Sequence, residues 1–291
     1  MKVIDIIKAD KLSLSFEVFP PKTADKFETI KTATEKVAEL KPDFMSVTYG
    51  AGGGTSEFTV KIASDIQKKY GFPVLAHLSC ISSTKEGVKQ QLNAIKTAGI
   101  QNILALRGDI PQGIEYDATW DYHYASELVE EIKEFDPTFC VGGACYPECH
   151  VESKSQREDI LNMKKKVDAG CEFLTTQMFF DNNAYWNFLY KVRDAGINVP
   201  IVAGIMPITN VRQVDRVLKL SGAQVPLKFK YMVDKFGQHP EAMKQAGIIY
   251  ATEQIIDLVA NGATAVHLYT MNNAEVAESI KNNLKGILDI Q

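Results

Sequence analysis

Short apolar segments, each ending at a polar or charged residue, recur eight times along the chain. Between them lie longer segments with helical periodicity, such as residues 85–98 and 153–169. Regular alternation of strands and helices predicts a mostly parallel sheet, and eight such units in one domain are typical of an α/β protein with a (β/α)₈ TIM barrel. The eight apolar segments span residues 14–19, 44–49, 74–79, 103–107, 141–146, 173–179, 201–206 and 265–269.

The seventh unit differs from the others because a longer helical region, roughly residues 211–260, separates its strand from the last one. We expect extra helices between strands 7 and 8. In this fold the active site lies at the carboxyl ends of the strands and in the loops that follow them. At those positions the sequence places Glu17, Thr48, His77, Arg107, Asp109, Tyr146 and Gln177.

The chain of 291 residues has no linker-like segment, which favours one catalytic barrel domain over residues 1–291. Its formal net charge of −4 gives no long-range attraction for nucleic acid or for an anionic membrane. Neither a signal-peptide pattern nor an apolar run long enough to span a membrane is present, so we expect a cytoplasmic protein.

Glu17 lies between Phe16 and Val18 within the first predicted strand, where a charge is unfavourable unless it is paired or functional. Burial among apolar groups would raise its pKa and make it a usable general acid. The alternative is an ion pair inside the barrel with Arg107 or His77.

Arg107, Gly108 and Asp109 place a cation and a carboxylate at the end of the fourth strand, with a glycine that allows a ligand to approach closely. Arginine binds phosphate with two hydrogen bonds, and the carboxylate stabilises a developing positive charge. A structural pair that caps the strand is the alternative.

His77 and Gln177 each allow two interpretations. His77 fits either a cofactor contact or a core histidine bonded to a backbone carbonyl. Gln177 fits either a ligand contact or a core amide bonded to the backbone.

No GxGxxG or GxxxxGKS motif follows any strand, so a bound dinucleotide has to be held by the barrel loops. The glycine-rich segment at residues 50–54 could bring backbone N–H groups close to a flat or anionic ligand, or it could be only a tight turn. The loose grouping of Cys145, Cys149 and His150 does not have the paired spacing of a zinc site, and we predict no metal.

The segments SFEVFPPK, VTYGAGG, AHLSC, LRGD, YPE, TTQMFFD, GIMPITN and LYTMN, in this order, resemble the flavin-dependent 5,10-methylenetetrahydrofolate reductases of bacteria over essentially the whole chain. The resemblance implies noncovalent FAD and either NADH or NADPH as co-substrate, with NADH favoured. NAD(P)H would reduce the flavin and leave, and the folate would then bind in its place. This ping-pong reaction would yield 5-methyltetrahydrofolate for methionine synthesis. The resemblance further implies a homo-oligomer without the regulatory domain of the animal enzymes.

By motif match, Glu17 would protonate N10 of the folate, and Asp109 would bind the pterin and offset its positive charge. Gln177 would contact both the folate and the nicotinamide, and Thr48 would lie near the nicotinamide. The remaining residues implied to surround the cofactor are Tyr49, Ala51, His77, Arg107, Gly108, Asp109, Tyr124, Ala125, Tyr146, His150, Asp159, Asn162, Lys165 and Lys166.

Gln213 and Asn273 are implied as further folate contacts. At Asn273 many bacterial relatives have an arginine, and at Val217 they have an aromatic residue that stacks on folate and nicotinamide, which predicts weaker binding of these ligands.

Two other functions stay open on the sequence alone. One is a non-redox pterin-binding barrel, such as a methyl or pterin transferase, and the other is a catalytically idle ligand-binding or scaffold protein.

Overall fold

Eight parallel strands form a closed barrel in which each strand pairs with the next along the chain and β8 pairs with β1. A computed structural model describes residues 1–9, 11–49, 56–110, 113–214, 217 and 223–290. The predicted (β/α)₈ fold is confirmed. The strands are β1 (Ser13–Val18), β2 (Met45–Val47), β3 (Val74–Ser79), β4 (Asn102–Leu106), β5 (Cys140–Cys145), β6 (Phe173–Thr176), β7 (Ile201–Ile205) and β8 (Ala265–Tyr269).

Helices follow the strands around the outside of the barrel, and several begin at a side chain that accepts a backbone N–H bond. Thr84, Ser155, Asp181 and Asn273 are such caps. The helices are α1 (Val3–Ile7), a 3₁₀ turn (Ala24–Lys26), α2 (Phe27–Ala38), α3 (Ser56–Tyr70), α4 (Lys85–Thr97), α5 (Ala125–Phe135), α6 (Gln156–Asp168), α7 (Asn182–Asp194), α8 (Leu227–Phe236), α9 (Pro240–Ala260), α10 (Ala274–Asn283) and α11 (Lys285–Leu288).

The extra helices predicted between the last two strands are present: residues 211–214 are helical, and α8 and α9 follow. Some predicted strands were too long at their carboxyl ends. Residues 48–49 and 177–179 leave the sheet after Val47 and Thr176, because the chain turns there into loops over the barrel mouth. No helix in the described ranges is both long and apolar enough to cross a membrane.

Side chains alternate along each strand between the helices and the barrel interior. In β1, Leu14 and Phe16 pack into the large cluster between the strands and the helices. Ser15 and Glu17 point the other way and meet His267 of β8 inside the barrel. The polar residues of β1 therefore line the interior of the barrel.

The amino-terminal end of the barrel interior is apolar and closed by α1. We call the buried residues there the lower layer. Val3 N donates a 2.8 Å hydrogen bond to Asn102 Oδ1, and Asn102 Nδ2 donates to Val74 O at 3.3 Å, which ties α1 to β3 and β4. The lower layer comprises Val3, Ile4, Ile7, Phe44, Leu75, Leu104, Cys140, Phe173, Val202 and Ala265.

Candidate active site

Above the lower layer the interior becomes polar, and Glu17 lies at its centre. Strand register places Ser46 of β2 and Tyr269 of β8 directly beside Glu17, and Ser15 beside His267. Glu17 Oε2 lies 3.5 Å from His77 Nε2 and 3.7 Å from His267 Nε2, and it accepts a 3.3 Å hydrogen bond from Ser46 Oγ. We call this set the upper layer: Ser15, Glu17, Ser46, His77, His267 and Tyr269.

The pKa of Glu17 is lowered in this structure, which corrects the expectation of a raised value. Burial acts in the expected direction and raises the pKa, but the hydrogen bond from His267, the electrostatic interactions with His77 and His267 and the hydrogen bond from Ser46 together outweigh it. The side chain is still 20% exposed through the barrel mouth. The pairing with His77 is one of the alternatives that the sequence left open, whereas His267 was not expected, because it comes from the last strand of the barrel.

His77 directs its Nε2 toward Glu17 and not toward a backbone carbonyl. It is 6% exposed, and its Nε2 has no hydrogen-bond partner. Burial lowers the pKa of His77 to about 4, although the carboxylate of Glu17 opposes this shift. His77 is therefore neutral near pH 7.

Arg107, Gly108 and Asp109 lie at the mouth where β4 ends. Gly108 has φ +83°, and a Cβ there would lie 2.9 Å from Ser79 Cβ, so both conformation and space require glycine. Arg107 binds neither Glu17 nor Asp109 in the structure. Its Nη1 and Nη2 donate to the two carboxylate oxygens of Glu152, at 2.5 and 2.6 Å.

Next to this arginine, the loop after β5 brings two aromatic rings together. Tyr146 and His150 pack edge to face, with 4.6 Å between ring centroids. Burial raises the pKa of Tyr146 to about 12, and the carboxylate of Asp109 adds to the shift. Burial also lowers the pKa of His150, as does the charge of Arg107.

Helix α6 contributes charged groups to the same side of the mouth. Asp159 Oδ2 accepts from His150 N at 3.1 Å, and burial raises the pKa of Asp159. Lys166 Nζ donates to Ala144 O at 2.5 Å. The lysine side chain passes close to Gly143, where a Cβ would lie 2.8 Å from Lys166 Cδ.

Other residues predicted for the cofactor lie farther out or in irregular segments. Tyr124 is 59% exposed and precedes Ala125, the first residue of α5. Lys165 is exposed and donates to Asn162 Oδ1 at 3.2 Å on the surface of α6. Thr48 and Tyr49 follow β2 at the mouth, whereas Ala51 lies outside the described residues.

The predicted folate contacts are mostly engaged in local structure. Gln177 Oε1 accepts from Met178 N at 3.0 Å. Gln213 Oε1 accepts from Thr209 N at 2.8 Å and caps its own helix, and Asn273 caps α10. Val217 is 4% exposed within an apolar cluster that includes Phe180 and Phe229.

Sequence reasoning missed Ser15, Ser46, His267 and Tyr269, as well as Glu152. The strand residues carried a usable signal, because each is a polar side chain at an interior position of an otherwise apolar strand. Glu152 carried none, since its role depends on a loop conformation that brings it to Arg107. Among the described residues no cluster of three or more metal-ligating side chains occurs.

The family of this chain, and with it the reaction at the barrel mouth, can be judged by comparison with known proteins. The family model described as methylenetetrahydrofolate reductase matches residues 2–285. The chain belongs to the methylenetetrahydrofolate reductase family. The 5,10-methylenetetrahydrofolate reductase of Pectobacterium carotovorum is 36% identical over 94% of this chain and 90% of its own length. For the Escherichia coli protein of the same name the identity is 35%, over 94% of this chain and 91% of its own length.

Solved structures add support for the fold. A Clostridium thermocellum protein that binds two copies of 5-methyl-5,6,7,8-tetrahydrofolic acid superposes with a TM-score of 0.67 at 15% identity, over 99% of both chains. The reductase family is thus built on the same barrel as a folate-binding protein. Family membership makes this chain an oxidoreductase of methylenetetrahydrofolate and disfavours the transferase and scaffold alternatives.

Proposed function

We propose that this barrel reduces 5,10-methylenetetrahydrofolate to 5-methyltetrahydrofolate with NADH, through FAD bound at its mouth. NADPH is the alternative reductant. The observation that carries the proposal is the position of Glu17, a carboxylate inside the barrel that remains 20% exposed through the mouth and faces two imidazoles. A partly covered acid within reach of a ligand is what opening of the folate ring requires.

The residues around Arg107 fit a dinucleotide with a diphosphate. Arg107 and Lys166 supply positive charge, Gly108 leaves room where any Cβ would collide with Ser79, and Tyr146 offers an aromatic surface. We assign Thr48, Tyr49, His77, His150 and Asp159 to the same site by motif, together with Tyr124, Ala125, Asn162 and Lys165 at its rim. FAD held by these residues would supply the hydride-transfer chemistry that links the nicotinamide to the folate carbon.

The protein groups have separate tasks in this proposal. Glu17 donates a proton to N10 of the folate, and this opens the ring. Asp109, beside Arg107 on the exposed rim, stabilises the positive charge that the opened pterin develops. Gln177 orients the nicotinamide and then the folate, which bind in turn and give ping-pong kinetics. Cytoplasmic location stays a prediction of the sequence pattern, and a homo-oligomer and a role in methionine synthesis stay predictions of the family resemblance.

An anaerobic absorbance experiment with Glu17→Gln tests the proposal. In the wild type we expect flavin bands that bleach with NADH and return with methylenetetrahydrofolate. In the variant, reoxidation by the folate should fall at least ~100-fold while reduction by NADH stays unchanged, because only the folate step needs the acid. Glu278→Gln, an exposed carboxylate on α10, is the charge-matched control. Full folate turnover in Glu17→Gln would remove Glu17 from the role of acid, and a wild type unable to bind flavin would refute the proposal itself.

A further inference from the structure

A chain of hydrogen-bonding groups joins Glu17 to the most deeply buried histidine of the barrel. His267 is 2% exposed, and both of its ring nitrogens lie against serine hydroxyls. Its Nδ1 is 2.7 Å from Ser15 Oγ, and its Nε2 is 3.0 Å from Ser46 Oγ. Neither serine has measurable exposure, so water does not compete for these contacts.

The hydrogen on Nδ1 can be assigned by counting donors. Ser15 Oγ also lies 3.1 Å from the carbonyl oxygen of Val266, which can only accept. A hydroxyl has one hydrogen, so both contacts are hydrogen bonds only if Ser15 donates to Val266 and accepts from His267. In this assignment Nδ1 of His267 carries a hydrogen permanently.

The other side of the ring has two possible arrangements, which differ in the place of one proton. In the first, His267 Nε2–H donates to Ser46, and Ser46 donates to the Glu17 carboxylate, so the pair is an imidazolium and a carboxylate. In the second, protonated Glu17 donates to Ser46, and Ser46 donates to neutral Nε2. The two interconvert when the Nε2 hydrogen moves to Ser46 Oγ as the Ser46 hydrogen moves to Glu17 Oε2, so no atom or charge is gained or lost.

We propose that His267 stores the proton that Glu17 delivers to the folate, and that Ser46 passes it on. His267 and Ser46 are then positioning residues that act through Glu17 and do not touch the substrate. This inference rests on the proposed function, since it concerns the acid step of that reaction. It explains how a carboxylate that is ionised in the uncovered site can still act as an acid.

The groups around His267 favour a transfer that is controlled by the ligand. The titratable groups that face it in the described residues are Glu17 of β1, His77 of β3 and Tyr269 of β8. His77 is neutral near pH 7, and Tyr269 stays neutral because burial raises its pKa and its hydroxyl donates to Thr176 O at 2.5 Å. A ligand that covers the mouth removes water from Glu17, which disfavours the charged pair relative to the neutral one.

The stored proton can be observed without any cofactor. The chain has five histidines, so ¹⁵N-histidine labelling gives a spectrum that single variants can assign. For His267 in the wild type at pH 7 we expect both ring nitrogens to be protonated, and in Glu17→Gln we expect loss of the Nε2 proton. A His267 ring with one bare nitrogen in the wild type at pH 7 would overturn the inference.

Stopped-flow kinetics of the two half-reactions then test the transfer. In Ser46→Ala and His267→Gln, reoxidation of reduced flavin by methylenetetrahydrofolate should slow by ~10- to 100-fold. The fastest rate should also move to lower pH, because Glu17 must then take its proton from solvent. Reduction by NADH should be unchanged, as should both steps in the control His239→Gln, at an exposed histidine before α9.

The outcomes separate this inference from the proposed function. If both variants kept the wild-type reoxidation rate and pH profile, the relay would be wrong while Glu17 could still be the acid. If the wild type itself showed no reoxidation by the folate, the proposed function would fail, and the ¹⁵N spectrum would still decide where the proton resides. A variant that slowed both half-reactions equally would indicate a structural role and would count against the relay.

Discussion

The lower and upper layers of the barrel interior are built on the same strands but from opposite kinds of residue. Phe173 on β6 and Leu75 on β3 belong to the apolar lower layer, which α1 closes. Two residues after Leu75 on β3 comes His77, and from this level to the mouth the interior is lined by imidazole, hydroxyl and carboxylate groups. Apolar burial stabilises the fold, whereas buried polar groups contribute stability only when they are well paired. The interior of the barrel thus contributes apolar stabilisation at one end and places its titratable groups at the other.

The largest effect should come from a substitution that creates a cavity in the lower layer at Phe173. The ring is fully buried and lies over Gly142, where a Cβ would come within 2.4 Å of Phe173 Cζ. Phe173→Ala should lower the free energy of unfolding by about 3–5 kcal/mol, because it leaves a cavity in a closed apolar layer. Urea titration followed by circular dichroism measures this loss.

Tyr190→Ala is the matched control, since that ring is 78% exposed on α7 and its loss should be nearly neutral. Folded Phe173→Ala should keep the NADH and folate half-reactions, because the upper layer is untouched. A loss below about 1 kcal/mol would mean that the lower layer is not the stabilising half of the interior.

The upper layer should instead make stability depend on pH through His77. Because burial lowers the pKa of His77 from 6.5 to about 4, the unfolded chain binds this proton more readily than the folded one. The resulting stability is present above pH 6.5 and is lost as the pH falls toward 4. Between pH 7 and 5 the loss from this residue is about 2 kcal/mol.

Urea titrations of the wild type and His77→Gln at these two pH values isolate the effect. The variant should lose about 2 kcal/mol less on acidification than the wild type. Glu17 does not interfere, because its pKa is lowered from 4.5 and its own contribution is lost only below that pH. Equal losses in both proteins would show that His77 is not held neutral by its surroundings.

The two layers also differ in how far the sequence could predict them. The alternation of strands and helices predicted the barrel, and the rule that sites lie at the carboxyl ends of its strands predicted the positions of Glu17 and Arg107 near the mouth. His77 could be named from the sequence as a possible partner of Glu17, but His267 could not, because it lies 250 residues away and meets Glu17 only through closure of β8 on β1. Gln213 and Asn273, which the resemblance implies as folate contacts, cap helices in the structure, and a capping side chain cannot be told from a binding side chain in sequence. The closing role of α1 depends on Asn102, which nothing in the strand pattern distinguished.

The smallest expected effect concerns the rim outside both layers, where Glu152 holds the guanidinium of Arg107 with two hydrogen bonds. Those donors are the ones that a flavin diphosphate would use, so the carboxylate competes with the cofactor. Because Glu152 is 54% exposed, the competition is weak, and Glu152→Gln should tighten flavin binding by about two- to fivefold, less at high salt. Quenching of flavin fluorescence on titration with apoprotein measures the change.

The control Glu130→Gln removes the same charge from an exposed position on α5 and should leave the affinity unchanged. Weaker flavin binding in Glu152→Gln would mean that Glu152 orients Arg107 toward the cofactor, and the ion pair would then belong to the binding site.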